Sequence, residues 1–278
     1  MAHTTGTVSA QSVKEPPSTN PEWTKPYPAF QIAGNLYYVG TYDLGCYLIT
    51  SPQGHILINT GLASSASLLK ASVESLGFKF SDIKILLTTQ AHYDHMGAMA
   101  AIKKMTGAQF MVDEKDAEVV KDGGRSDYFS GGPLSTFQPV TIDRLLKNND
   151  VVKLGDNALT MLHHPGHTKG SCSYLFTVKD EKRSYRVLIA NIPSIIIDGK
   201  FSEVKSYPGM QQDYAYTLKA MKEIPFDIWL ASHASQFHLQ GKHKPGATYN
   251  PAAFIDQEGY DAAIKQWQDV YDEKMKEK

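Results

Sequence analysis

The chain has 278 residues, 42% of them hydrophobic, enough for a sizeable core in one large domain or two small ones. A formal net charge of −1 and a pI near 6.8 leave no electrostatic footprint for nucleic acid or an anionic membrane surface. No apolar run approaches the ~20 residues of a membrane helix, so a soluble protein is expected, acting as a monomer.

Residues 1–28 are rich in Thr, Ser, Pro and Lys and show no apolar periodicity. They read as a disordered or surface-draped leader, with the domain proper spanning 29–278. Val8-Ser9-Ala10 before Gln11 has the small-x-small pattern of a signal-peptidase site, but no apolar segment precedes it. Either that segment is missing from this chain or the likeness is accidental.

From Asn35 the pattern is strand-rich, with apolar runs at 36–39, 46–49 and 55–58. Leu68, Leu69, Val73 and Leu76 follow at helical spacing, closed by Gly77. A strand at 83–87 leads into Gln90-Ala91-His92-Tyr93-Asp94-His95, and a short helix at 97–105 and a strand at 109–112 come next. Residues 123–139, punctuated by Gly123, Gly124, Gly131, Gly132, Pro133 and Pro139, form a long loop of the kind that covers functional sites. Strands are expected at 151–154, 158–162, 173–178, 185–189 and 226–230. Tyr214, Leu218 and Met221 mark one late helix, and Ile264, Trp267 and Tyr271 mark a closing one. This periodicity supports a layered α/β or α+β arrangement.

The chemistry concentrates in three turns that follow apolar runs. Gln90 to His95 packs an amide, two imidazoles and a carboxylate into six positions, and His167 and His233 stand in Pro165-Gly166-His167-Thr168 and Ser232-His233-Ala234-Ser235. All are donor types that a borderline divalent ion such as zinc accepts. One such histidine is commonly a hydrogen-bonded loop residue; three clusters, each placed where a strand should stop, point to a metal-dependent hydrolase with two adjacent sites. Cys46 and Cys172 lie in strand-like runs and read as buried thiols, not as ligands.

These turns, together with Leu57-Ile58-Asn59-Thr60-Gly61, Gly123-Gly124-Arg125-Ser126-Asp127-Tyr128 and Ala190-Asn191-Ile192-Pro193-Ser194, resemble the metallo-β-lactamase superfamily. Within it the chain is similar to the subclass B3 enzymes of the GOB type, which carry Gln in the first ligand position. The likeness runs from about residue 30 to the C-terminus. It implies a four-layer αββα sandwich and two zinc ions, the first held by Gln90, His92 and His167 and the second by Asp94, His95 and His233. It also implies hydrolysis of the β-lactam amide of penicillins, cephalosporins and carbapenems by a zinc-bound hydroxide that Asp94 helps orient. Ser194 occupies the place of a serine that binds the drug's carboxylate. Asn59 and Ser232 are expected to brace the ligands by hydrogen bonds. Because the family is exported, a periplasmic location follows. Gln90 departs from the more common His; a neutral amide oxygen is the weaker zinc donor, so the first site should bind less tightly. The alternative on the same fold is hydrolysis of a lactone or thioester. Such enzymes usually add a bridging Asp, and Ala190-Asn191-Ile192-Pro193 offers none.

Overall fold

Residues 13–17 and 20–276 are described by the computed structural model of the chain. Short apolar runs build two sheets. The first takes seven strands in chain order: β1 (Phe30–Ala33), β2 (Leu36–Tyr38), β3 (Tyr47–Ile49), β4 (His55–Ile58), β5 (Ile83–Leu87), β6 (Gln109–Asp113) and β7 (Arg144–Leu146). β1 to β4 pair antiparallel, and β4 to β7 pair parallel. The second sheet comprises β8 (Val151–Leu154), β9 (Asn157–His163), β10 (Cys172–Lys179), β11 (Ser184–Ala190) and β12 (Ile228–Ala231). Its spatial order is β12-β11-β10-β9-β8, antiparallel except for the parallel β11–β12 pair.

Strand β4 shows why the layers stack. All four of its residues are buried. Ile56 and Ile58 enter an apolar cluster with Leu159, Met161, Tyr174 and Phe176 of the second sheet. Leu57, on the opposite face, packs with Leu69 and Val73 of α1 (Ala66–Ser75). The next helices are α2 (Tyr93–Met96), α3 (Met99–Thr106), whose Met99 and Ile102 join that outer cluster, and α4 (Ala117–Asp122). A strand with a sheet on one side and helices on the other reads as a continuous apolar run, because neither face meets water. Beyond the second sheet lie α5 (Met210–Met221), α6 (Leu239–Lys242) and α7 (Gln257–Lys276). Leu218, Met221, Tyr260 and Ile264 bring α5 and α7 into the same core as that sheet. The order helix, sheet, sheet, helix is the four-layer αββα sandwich.

Among the strands and α-helices of the described residues, five exceed what periodicity predicts: β1, β7, α2, α4 and α6. Strands of three or four residues cannot display an alternation, and a helix of under two turns cannot display a 3.6-residue stripe. The N-terminal segment also differs from a leader ending at residue 28. Tyr27 is buried and donates from its hydroxyl to His243 O at 2.8 Å, so packing begins before residue 29. Within this segment Pro21–Trp23 form one turn of 3-10 helix, and the Tyr27 side chain finds apolar surface. Residues 8–11, with the small-x-small pattern, lie outside the described residues.

Candidate metal centre

The three turns meet where strands end. β5 runs parallel to β4 and β6, so residues 88–95 emerge at the edge where both neighbours also stop. The connection between β9 and β10 brings His167, and β12 exits into His233. Asn59 closes β4 in the left-handed region at φ 63°. Its Oδ1 accepts from Thr89 N at 2.9 Å and Thr89 Oγ1 at 3.1 Å. Thr89 Oγ1 lies 2.9 Å from Ser232 Oγ. Asn59 and Ser232 therefore bond to Thr88 and Thr89 at the base of the ligand turn, not to an imidazole. Gly97, at the end of α2, lies so close to the chain at Leu62 and Ala63 that a Cβ would fall 2.3 Å from Ala63 N. Only glycine lets α2 sit there and present Asp94 and His95 inward.

Asp94, His95 and His233 converge. Asp94 Oδ2 lies 3.2 Å from His95 Nε2 and 3.3 Å from His233 Nε2, and one ligand atom from each residue falls within 4.8 Å of the others. A tetrahedral zinc with ligands ~2.0–2.1 Å away sets its donor atoms about 3.3 Å apart, so two edges of the required tetrahedron are already formed. Polarity agrees with the spacing. Burial lowers the His95 pKa and lowers that of His233 too, but hydrogen bonds and charge from Asp43 and Asp94 lift His233 to about 9. Burial alone would raise Asp94, yet the neighbouring His95 and His233 hold it well below the usual carboxylate range. Two buried carboxylates thus make a cradle that favours a cation.

Of the other predicted set, Gln90, His92 and His167, the structure brings the two imidazoles together. The His92 and His167 rings stand 4.8 Å apart between centroids at 68°. His167 Nδ1 is engaged by Ser194 O at 2.7 Å and lies 3.0 Å from Ser194 Oγ, leaving Nε2 as its ligand atom. His92 Nε2 faces Asp127 Oδ2 at 3.3 Å without hydrogen-bond alignment, leaving Nδ1. Burial and the nearby His92 charge hold the His167 pKa down at about 3, a neutral ring suited to ligation. Gln90 Oε1 and His95 Nε2 are buried with no hydrogen-bond partner among the described residues. Such atoms normally have one, so the donor set fits two metal ions.

Several contributors were not legible in the sequence. Asp43 Oδ2 lies 3.1 Å from His233 Nδ1 and accepts from Trp23 Nε1 at 3.0 Å, and the Trp23 ring sits 5.6 Å from the His233 ring. Asp127 accepts from Phe129 N and from Ser130 N and Oγ, which fixes its carboxylate beside His92. Tyr128 donates to His167 O at 2.9 Å. Asp127 and Tyr128 lie in the 123–128 stretch that carries the family likeness, but nothing local names their partners, and Asp43 and His233 are 190 positions apart. Both cysteines are free and buried, and Cys172 Sγ lies 3.4 Å from Thr88 O, away from both groups. His163 pairs with Asp113 and His164 with Ser173, each at 2.7 Å, so neither joins the site.

The family model described as the metallo-beta-lactamase superfamily matches residues 46–180. Among solved structures the chain is similar to the class B3 di-zinc metallo-beta-lactamase LRA-12 from an Alaskan soil metagenome. The two are 63% identical over 94% of this chain and 99% of that one, with a TM-score of 0.93. It is also similar to the metallo-beta-lactamase GOB-18 from Elizabethkingia meningoseptica, at 56% identity over 97% and 100% of the two chains and a TM-score of 0.96. A probable metallo-hydrolase of Burkholderia pseudomallei is 31% identical over 41% of this chain and 37% of its own length. The match spans 37%, 66% and 64% of the first three curated relatives. With a likeness at 63% identity over 94% of this chain and 99% of LRA-12, the chain belongs to the class B3 metallo-β-lactamases.

Proposed function

We propose that this protein is a zinc-dependent β-lactamase that opens the β-lactam amide of penicillins, cephalosporins and carbapenems. The observation that carries this reading is the grouping of Asp94, His95 and His233 at tetrahedral spacing, beside the Gln90, His92 and His167 group. One zinc would be held by each group. Zinc bound there supplies an activated water at neutral pH and polarises the carbonyl, with no serine or cysteine nucleophile needed.

The chain's own residues supply the rest. Asp94 meets both imidazoles through Oδ2, which leaves Oδ1 to accept a hydrogen bond from the attacking water and to hold its proton. Ser194, fixed by its carbonyl to His167 Nδ1 and to Tyr214 OH at 2.9 Å, offers a hydroxyl for the substrate carboxylate. Phe129, 57% exposed and 6.4 Å from the His92 ring, and Trp23 beside His233 give apolar walls for the fused rings of the drug. Gln90 makes its site the weaker of the two. The lactone or thioester alternative has less support: the corresponding stretch, Ala190-Asn191-Ile192-Pro193, offers no carboxylate, and the Asn191 amide donates to Thr89 O at 3.3 Å. We place the protein in the periplasm, as a monomer without a nucleic-acid partner. The net charge of −1 supports the last point, and among the described residues no helix is long and apolar enough to cross a membrane.

A nitrocefin assay tests the function. Hydrolysis should require metal and stop with a chelator; hydrolysis that survives exhaustive chelation, or thioesterase activity in place of β-lactam hydrolysis, would overturn the assignment.

A further inference from the structure

Asp116 is fully buried and accepts three hydrogen bonds. Oδ2 takes Ala91 N at 2.9 Å and Thr168 Oγ1 at 2.7 Å, and Oδ1 takes Gly170 N at 2.7 Å. The residue stands at the N-cap of α4, where an aspartate ordinarily accepts from the first-turn N–H groups. It makes no such bond. Its carboxylate turns instead to two loops that carry ligands. Ala91 lies between Gln90 and His92, and Thr168 and Gly170 follow His167. The fit is steric as well: a Cβ on Gly170 would fall 2.7 Å from Asp116 Cγ and 2.5 Å from Asp116 N.

The two loops extend from different sheets, so no strand pairing sets their separation at the ligands. Cys172 N and Tyr174 OH cross the same gap lower down, bonding to the carbonyls of Thr89 and Thr88. Asp116 bridges it at the ligands themselves. In the second group, Asp94, His95 and His233, the His233 ring has a brace of its own in Asp43.

We propose that Asp116 is a positioning residue that holds the Gln90–His92 turn and the His167 turn at the spacing the first zinc needs. This rests on the zinc reading above. A weak amide donor makes that site depend on how well its ligands are preorganised, and supporting residues of this kind typically govern ~10–100-fold in metal affinity.

The test is zinc titration of apo-protein against a chromophoric chelator for the wild type, Asp116→Ala, Thr168→Val and His167→Ala. Wild type should take two equivalents with separable affinities, and His167→Ala should lose the weaker one. In Asp116→Ala the weaker equivalent should lose about tenfold or more in affinity while the tighter changes less than about threefold. Thr168→Val keeps the side-chain volume and removes one of the three bonds. It should shift the weaker step a few-fold in the same direction, with an apo melting temperature close to wild type. Equal weakening of both steps, or no change in either, overturns the proposal. A wild type that binds fewer than two equivalents, or a His167→Ala variant that keeps both, instead overturns the zinc assignment and this inference with it.

Discussion

The Asp43 carboxylate lies 3.1 Å from His233 Nδ1, on the opposite side of the ring from Asp94, which lies 3.3 Å from Nε2. His233 is therefore held between two carboxylates, one at the ion side and one behind. Trp23 Nε1 and Ser235 N complete the hydrogen bonding of Asp43. Asp43→Ala should weaken zinc at the Asp94, His95 and His233 group by ~10–100-fold. Chelator competition on the apo-protein measures it, and unchanged affinity would show that Asp43 only braces the loop.

Asp94→Ala and His233→Ala should each reduce β-lactam hydrolysis to background, because each removes a ligand from the better-braced group. Wild-type hydrolysis should resist serine-directed acylating inhibitors: the Ser-x-x-Lys matches at Ser67, Ser81 and Ser202 all fall outside the three ligand turns, and Lys70 of the first is paired with Glu74. A variant that retains near-wild-type kcat with full metal content would mean that the ligands are assigned wrongly.

Gln90→His should raise zinc affinity at the first group, since an imidazole nitrogen replaces a neutral amide oxygen. In a calorimetric titration the wild type should show two separable steps, and the variant should close the gap between them. The same pair of affinities in both proteins would show that Gln90 does not ligate.

Phe110 is completely buried between β6 and the outer helices. Phe110→Ala should lower unfolding stability by ~3–5 kcal/mol, through lost burial and the cavity left behind. The guanidinium midpoint of the apo-protein reads this directly, and a loss well under 1 kcal/mol would mean that the layer repacks.

Partial burial pushes the Asp143 carboxyl up, but hydrogen bonds from Lys103 Nζ and Phe110 N and the Lys103 charge lower its pKa overall. A depressed folded pKa gives stability that is present above the ordinary Asp value of ~4 and lost as pH falls through the folded value. Asp143→Asn should cost about 0.5–1 kcal/mol at neutral pH, given a carboxylate 33% exposed, and the difference should vanish under acid conditions. A difference independent of pH would place its origin in packing.

The sequence by itself determined that the chain is layered and which turns carry metal-type donors. Ile56, Leu57 and Ile58 are apolar on both strand faces, which requires burial on both sides and therefore a sheet between other layers. Gln90, His92, Asp94 and His95 sit within six positions because one strand end can aim several donors at one point, and such local chemistry is written in local order. Only the tertiary structure decided which residues stand behind the ligands. Asp43 reaches His233 across 190 positions, Asp127 meets His92 from a loop without regular structure, and Asp116 leaves its own helix cap to join two sheets. Each is an aspartate whose partner its local context does not show, although Asp127 sits in the 123–128 motif. Its role comes from the close approach of segments distant in the chain, and that approach is set by the packing of the layers.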